Sequence, residues 1–499
     1  MPSAAPGLLR STNVGDAASS TSERRLSAGL AGPVALVVGV FALSRAAAYA
    51  AGVRFDASPL DYFWQIVDPD LLRDRLLESL VYLHSQPPAF NALIGAVLKA
   101  FPDEPGPALH AIYVAVGLTH ALATLFLLHW AAGLGRWTSA AVACVLCVSP
   151  AWLTYENWLF YEYPTAALLT LSALLLFMFL VRGGALAGLA FFASVAAVIA
   201  FRSVFTPVWL LLLVVLLLLA RGDLRRRVLV TCTVAVAATG LLVGKNVVFF
   251  GVPSTSSWSG INLAEVVFSQ VPLEERRELV ERGELSEVSL VEPFSPPRDY
   301  LGIVPHPPRR GIPVLDRLGT EDRPNMNNEI LVGVSERYFR DSLRLIRLRP
   351  EAYAKAVVLS LGLYARPPTE SIYVAENRSR LGLFRSVYDR AVLLQTTPGE
   401  PSWAIVLGHT LALLYGAWLT FRLVLRRVRP TAATVTLAYV WLTLAYVTVV
   451  TGLVQIVENQ RIRFLVDTFA VILVAAAARD ALAWARARRA RRNEASAVA

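Results

Sequence analysis

The stretch that decides the fold is residues 204–220, VFTPVWLLLLVVLLLLA, followed at once by Arg221-Gly222-Asp223-Leu224-Arg225-Arg226-Arg227. Seventeen residues without a charge, ending on a basic run, read as a helix that crosses a bilayer and stops at its cytoplasmic edge. The same pattern recurs outward in both directions. Apolar blocks lie near 29–52, 109–133, 137–155, 164–181, 185–201, 228–250, 402–425, 431–455 and 464–484. The expected fold is an all-α polytopic membrane protein with about ten transmembrane helices.

Charge placement orients those helices. Arg136, Arg182, the 221–227 run, Arg426, Arg427, Arg429 and the cluster from Arg486 to Arg492 all fall on one side when the count is even. The positive-inside rule makes that side cytoplasmic, with both termini on it, and the expected location is the plasma membrane of a cell envelope. Composition agrees: 55% of residues are apolar, only 17% are charged, and mean hydropathy is +0.52. The net charge of +10 gathers at helix ends and not on a stripe along one face, so nucleic acid is not an expected partner. The three cysteines, Cys144, Cys147 and Cys232, lie inside apolar blocks, where small packing residues are the simpler reading than a metal or redox pair.

The chain then divides into a disordered cytoplasmic tail (1–28), an N-terminal transmembrane module (29–250) with a first external loop at 53–108, a long extracytoplasmic loop (251–401), C-terminal transmembrane helices (402–484) and a basic cytoplasmic tail (485–499). Within the first loop, residues 87–101 are apolar but too short to cross, which suits an interfacial or re-entrant helix opened by Pro87 and Pro88. Residues 353–365 of the long loop read as a second interfacial helix, with a partial span as the alternative.

Candidate chemistry collects on the external side. Asp56 follows the first span by a few residues, where a carboxylate is fixed by the helix end yet open to the medium, a suitable place for a general base. Asp61 lies in the same loop, and Glu156 stands in the aromatic run Tyr155-Glu156-Asn157-Trp158-Leu159-Phe160-Tyr161-Glu162-Tyr163, which an interfacial aromatic belt also explains. Arg461 and Arg463 sit in the last external turn, against the positive-inside trend. A lipid-linked phosphate would account for them, since guanidinium binds phosphate in two-point fashion; a pair with Glu458 is the plainer alternative. Arg202, Lys245 and His84 raise the same possibility of a phosphate contact. The run Ser256-Ser257-Trp258-Ser259-Gly260-Ile261-Asn262 offers Trp258 and Asn262 to a sugar or an acceptor, though an exposed turn has the same letters. No His/Cys set has metal spacing, and no phosphate-cradling glycine loop or nucleophile elbow is present.

Asp56 just after the first span, the segment His84-Ser85-Gln86-Pro87-Pro88-Ala89-Phe90-Asn91 and the charged turn from Glu458 to Arg463 together resemble the GT-C class of membrane glycosyltransferases, which includes the protein O-mannosyltransferases and the lipid A aminoarabinose transferases. That resemblance implies transfer of a sugar from a polyprenyl-phosphate carrier to a glycan, lipid or protein acceptor outside the cytoplasm. It maps the acidic role onto Asp56 and the carrier phosphate onto Arg461 and Arg463, then Lys245 and Arg202; the place of Glu156 in the aromatic run separately suits it to orient an acceptor or a base. Many members carry two adjacent acids in the first loop, whereas Asp56 is followed by Ala57. The identity of the base therefore stays open, as does use of a divalent metal; no other cofactor is expected. The competing functions are a transporter or flippase of a lipid-linked substrate, and a polysaccharide polymerase or ligase.

Overall fold

The computed structural model describes residues 29–498, and the N-terminal tail read from the sequence lies outside them. The described chain is helical, with isolated bridges in place of any strand. Its main elements are Ala31–Ala50 (α1), Ala89–Ala100 (α2), Pro105–Trp130 (α3), Arg136–Cys147 (α4), Pro150–Glu156 (α5), Glu162–Arg182 (α6), Ala185–Phe201 (α7) and Pro207–Ala220 (α8). They continue with Arg225–Thr231 (α9), Thr233–Phe250 (α10), Ser259–Phe268 (α11), Ile330–Leu348 (α12), Pro350–Tyr364 (α13) and Gly382–Ala391 (α14). The last four are Trp403–Val424 (α15), Ala432–Val454 (α16), Asn459–Arg463 (α17) and Asp467–Val498 (α18).

Among the described residues, six helices (α1, α3, α6, α10, α15 and α16) are long and apolar enough to cross a membrane, and up to eight do so if each of two bent pairs counts as one span. The remaining apolar blocks are also helical, but α7 is only 17 residues long and α18 carries its apolar start into a basic half. Leu43, Leu186, Leu211, Leu241, Val248, Leu407 and Leu414 are each more than 60% exposed. So many large apolar side chains turned outward on helices of this length fit an α-helical membrane protein whose outer surface meets lipid.

Local sequence sets the helix limits. Pro207 opens α8 behind a Thr206 cap, the left-handed Gly183 and Gly251 close α6 and α10, and Thr431 with Thr434 forms a capping box for α16. The block 137–155 is broken. Pro150 cannot continue the hydrogen-bond ladder and holds Ser149 extended, so α4 and α5 meet at 58°. In a bilayer the freed carbonyls need partners. Arg45 of α1 supplies one, donating from Nη1 to the Cys147 carbonyl at 2.7 Å. The α8 block likewise turns by 108° into the segment carrying Arg225 to Arg227.

At the centre stands α6, packed on α3, α7 and α16. Between residues 258 and 345 the long loop makes a second apolar core of its own, with Ile261, Val267, Tyr300, Met326 and Tyr338 buried. Gly260 permits it: a Cβ there would run into the Ser335 carbonyl, so α11 and α12 touch backbone to backbone. The loop is thus held without disulfides, by its own core.

Candidate functional site

Every loop at one end of the bundle contributes to a single cavity of about 330 Å³. The first loop gives Trp64, Gln65 and Gln86; the turn before α6 gives Tyr161; the end of α7 gives Arg202. The long loop gives Trp258, Asn262, Glu265, Phe294 and Tyr373, and the final turn gives Glu458 and Arg461.

Charge is concentrated on one wall. Glu162, the first residue of α6, is fully buried and is approached by Arg461 Nε at 3.5 Å and by Arg202 Nη2 at 3.6 Å. These are ion pairs, but too long to be hydrogen bonds. Both oxygens of Glu162, Nε of Arg202, Nε and Nη1 of Arg461, and one oxygen each of Glu265 and Glu458 are buried without a hydrogen-bond partner in the protein. Buried polar atoms are almost always partnered, so such a cluster marks a place built to receive something polar. Aromatic rings hold the guanidiniums in position: Arg202 lies over Tyr161 at 4.3 Å, and Arg461 lies over Phe160 and Tyr373 at 5.2 and 5.1 Å.

Burial acts against the charge of Arg461, but Glu162 foremost, then Tyr161, Tyr373 and Glu458, more than offset it and hold its pKa above the ordinary value. Burial pushes the Glu265 carboxyl up to about 7, with Arg461 pulling the other way. A carboxyl so placed exchanges a proton near neutral pH. Also in the lining, Trp64 packs on Trp258 and Phe294 with ring centres 5.2 and 5.3 Å apart, forming an apolar patch. Glu458 adopts φ +60, a left-handed conformation that costs a non-glycine residue about 1 kcal/mol and sets the entry angle of α17.

Of the residues singled out from sequence, Arg461, Arg202, Trp258 and Asn262 meet in this cavity. The others stand elsewhere. Asp56 is half-buried, its backbone bridged to Trp158, and its carboxylate accepts from Ser58 N at 2.9 Å and Ser58 Oγ at 2.5 Å. It reaches the cavity only indirectly, through the Trp158 ring stacked on Tyr373 at 5.4 Å. Asp61 is exposed in a separate outer hollow with Asp68, Asp70 and Arg323. Glu156 is fully buried against Arg45, at 2.6 Å, and also accepts from Tyr163 Oη at 2.7 Å.

Arg463 is fully buried too, bound to Asp467 at 2.9 Å and to the carbonyls of Tyr364 and Arg366. Lys245 donates to the Leu83 carbonyl. His84 is buried between Ser257 Oγ, 2.8 Å from Nδ1, and the Asn327 carbonyl, 3.0 Å from Nε2. Because a carbonyl only accepts, Nε2 carries the proton and Nδ1 accepts from Ser257. Burial, with Lys245 nearby, lowers its pKa to about 3, so His84 is a neutral clasp joining the first loop to the long loop.

Glu162, Glu265 and Glu458 are the site acids that sequence reasoning did not place. Glu265 did leave a signal: it is the single charged residue between Lys245 and Glu274, set in an apolar helix. Among the described residues, no three His, Cys, Asp or Glu side chains gather as metal ligands. Comparison with protein-family models, with curated proteins and with solved structures finds no match to this chain.

Proposed function

We propose that this chain is a polyprenyl-phosphate-sugar transferase of the GT-C type, with ten spans and its cavity on the extracytoplasmic side of the plasma membrane. One observation carries the reading: buried Arg461 and part-buried Arg202, both with unpartnered nitrogens, face a cavity at the helix ends that also holds a carboxyl poised near neutrality. Arg461 and Arg202 hold the carrier phosphate. The Trp64, Trp258 and Phe294 wall takes the apolar face of the sugar, and Gln65, Gln86 and Asn262 meet its hydroxyls. Glu265 takes the basic role expected of Asp56.

In the reaction, an acceptor hydroxyl attacks the anomeric carbon as the bond from that carbon to the phosphate oxygen breaks. The hydroxyl proton passes to Glu265, and the leaving phosphate gains a negative charge. That growing charge is what the guanidiniums stabilise, and interactions that strengthen as charge develops are the ones that accelerate a reaction. A transporter would instead place its charges near the bilayer midplane. Here Glu162 and Arg202 sit at the ends of the long helices α6 and α7, and Glu265 and Arg461 lie on the short helices α11 and α17.

The test is transfer from a radiolabelled polyprenyl-phosphate sugar in membranes containing the full chain. Arg461→Gln and Glu265→Gln are expected to lower the rate by about 10² or more, while Asp56→Asn stays near wild type. Transfer from no donor, or wild-type rates in the first two variants, would remove the proposal.

A further inference from the structure

A second cavity, of about 300 Å³, lies beside the break between α4 and α5. Its walls are Val142, Val145, Val471 and Val474, from α4 and α18, with Gly408 of α15 on a third side. At one end the lining turns polar, with Thr369, Asp389 and His409. Thr369 Oγ1, Asp389 Oδ1 and His409 Nε2 are buried there without a hydrogen-bond partner, and Thr369 and Asp389 are each at least 95% buried. His409 Nε2 is 3.4 Å from Asp467.

The surroundings say what kind of molecule fits. Val145 and Val392 on its rim are 47% and 43% exposed and belong to the outward apolar surface that meets lipid. Helix α14, which brings Asp389, turns Leu383, Phe384 and Val387 outward, at 80%, 44% and 55% exposure, as a helix lying in the interface does. The polar end therefore sits at head-group depth and the valine walls run alongside the acyl region. The polar end offers two carboxyls, Asp389 and Asp467, with a hydroxyl and an imidazole; neither arginine nor lysine lines it, and the cations beside it are engaged, Arg385 with Asp389 at 3.8 Å and Arg378 with the Thr369 carbonyl at 3.0 Å. Arg463, just behind, is committed to Asp467 and two carbonyls. Such a lining bonds hydroxyls and does nothing to neutralise a phosphate.

We infer that this cavity is a lipid site, entered from the bilayer, that takes an apolar chain with a neutral, hydroxyl-bearing head. The inference does not rest on the transfer reading, since its probe carries no sugar and its readout needs no turnover.

The experiment uses the full chain in phosphatidylcholine nanodiscs, photolabelled with a diacylglycerol bearing a diazirine on one acyl chain, with phosphatidic acid bearing the same chain as the comparison. Labelled peptides are mapped. Diacylglycerol is expected to label α4 and α18 about tenfold more than phosphatidic acid, the difference one head-group hydrogen bond makes against an unneutralised phosphate. Gly408→Leu is expected to abolish that labelling, because a Cβ at Gly408 meets nothing within 4 Å and a larger side chain has the cavity to grow into. Ala404→Leu, on the same wall, gives a second filling variant should the first fail to fold. Equal or stronger labelling by phosphatidic acid, or undiminished labelling in a folded filling variant, overturns the inference.

Discussion

Glu265 gives the sharpest quantitative expectation. Its carboxyl titrates at about 7 instead of the ordinary 4.5, because burial disfavours the ion. At about 1.4 kcal/mol per pH unit, that rise is worth about 3 kcal/mol. A base must be ionised to accept a proton, so activity follows the deprotonated fraction: about a tenth at pH 6 and about nine-tenths at pH 8. The transfer rate at low donor concentration should therefore climb about tenfold per pH unit below about 6, more gently through 7, and level off above about 8. Glu265→Gln should lie about 10²- to 10⁴-fold lower and lose this limb. Arg461 pulls the Glu265 pKa down, so Arg461→Gln should move the midpoint of the residual rate upward. The assay is initial-rate transfer from a radiolabelled carrier between pH 5.5 and 8.5. An inflection that persists in Glu265→Gln, or a wild-type rate that stays flat across this range, would refute the assignment.

Arg45→Met should destabilise the bundle by about 3–5 kcal/mol by stranding Glu156, and adding Glu156→Gln should restore much of that loss in thermal unfolding of the purified protein. Gly117→Ala should cost about 1–3 kcal/mol in the same measurement, since a Cβ there collides with the Glu156 carboxylate and the Tyr163 hydroxyl. His84→Ala should cost about 1–3 kcal/mol by leaving Ser257 and the Asn327 carbonyl unpaired. In wild type the His84 imidazole should show no titration between pH 5 and 8 by NMR, because its folded pKa lies near 3.

The membrane character was legible because it is written in runs of neighbouring residues. Each apolar block of the sequence is helical, 137–155 and 228–250 in two pieces each, and residues 87–101 hold the short α2. The limits were less legible where one residue overrides a run, as Pro150 does in breaking 137–155. The site was legible only in part. Arg461 and Arg202 draw attention by being cations on the wrong side of the charge pattern, and they do meet. Glu156 and Glu162 stand six positions apart in one aromatic run, and no local rule separates them. What divides them is the break before α5, which turns Glu156 inward to Arg45 while Glu162 begins the next helix and lies behind the cavity wall, paired with Arg461 and Arg202. Arg461 and Arg463 are likewise two apart, yet on so short a helix they point in different directions, one to the cavity and one to Asp467.

That short helix has a spatial consequence. α17 and the turn after it form a partition: Arg461 and Ile462 look into one chamber, Phe464 and Asp467 into the other, and Arg463 pins the partition between them to the end of α13. Phe464 and Arg461 are three residues apart, so less than one turn of helix separates the two chambers along the chain.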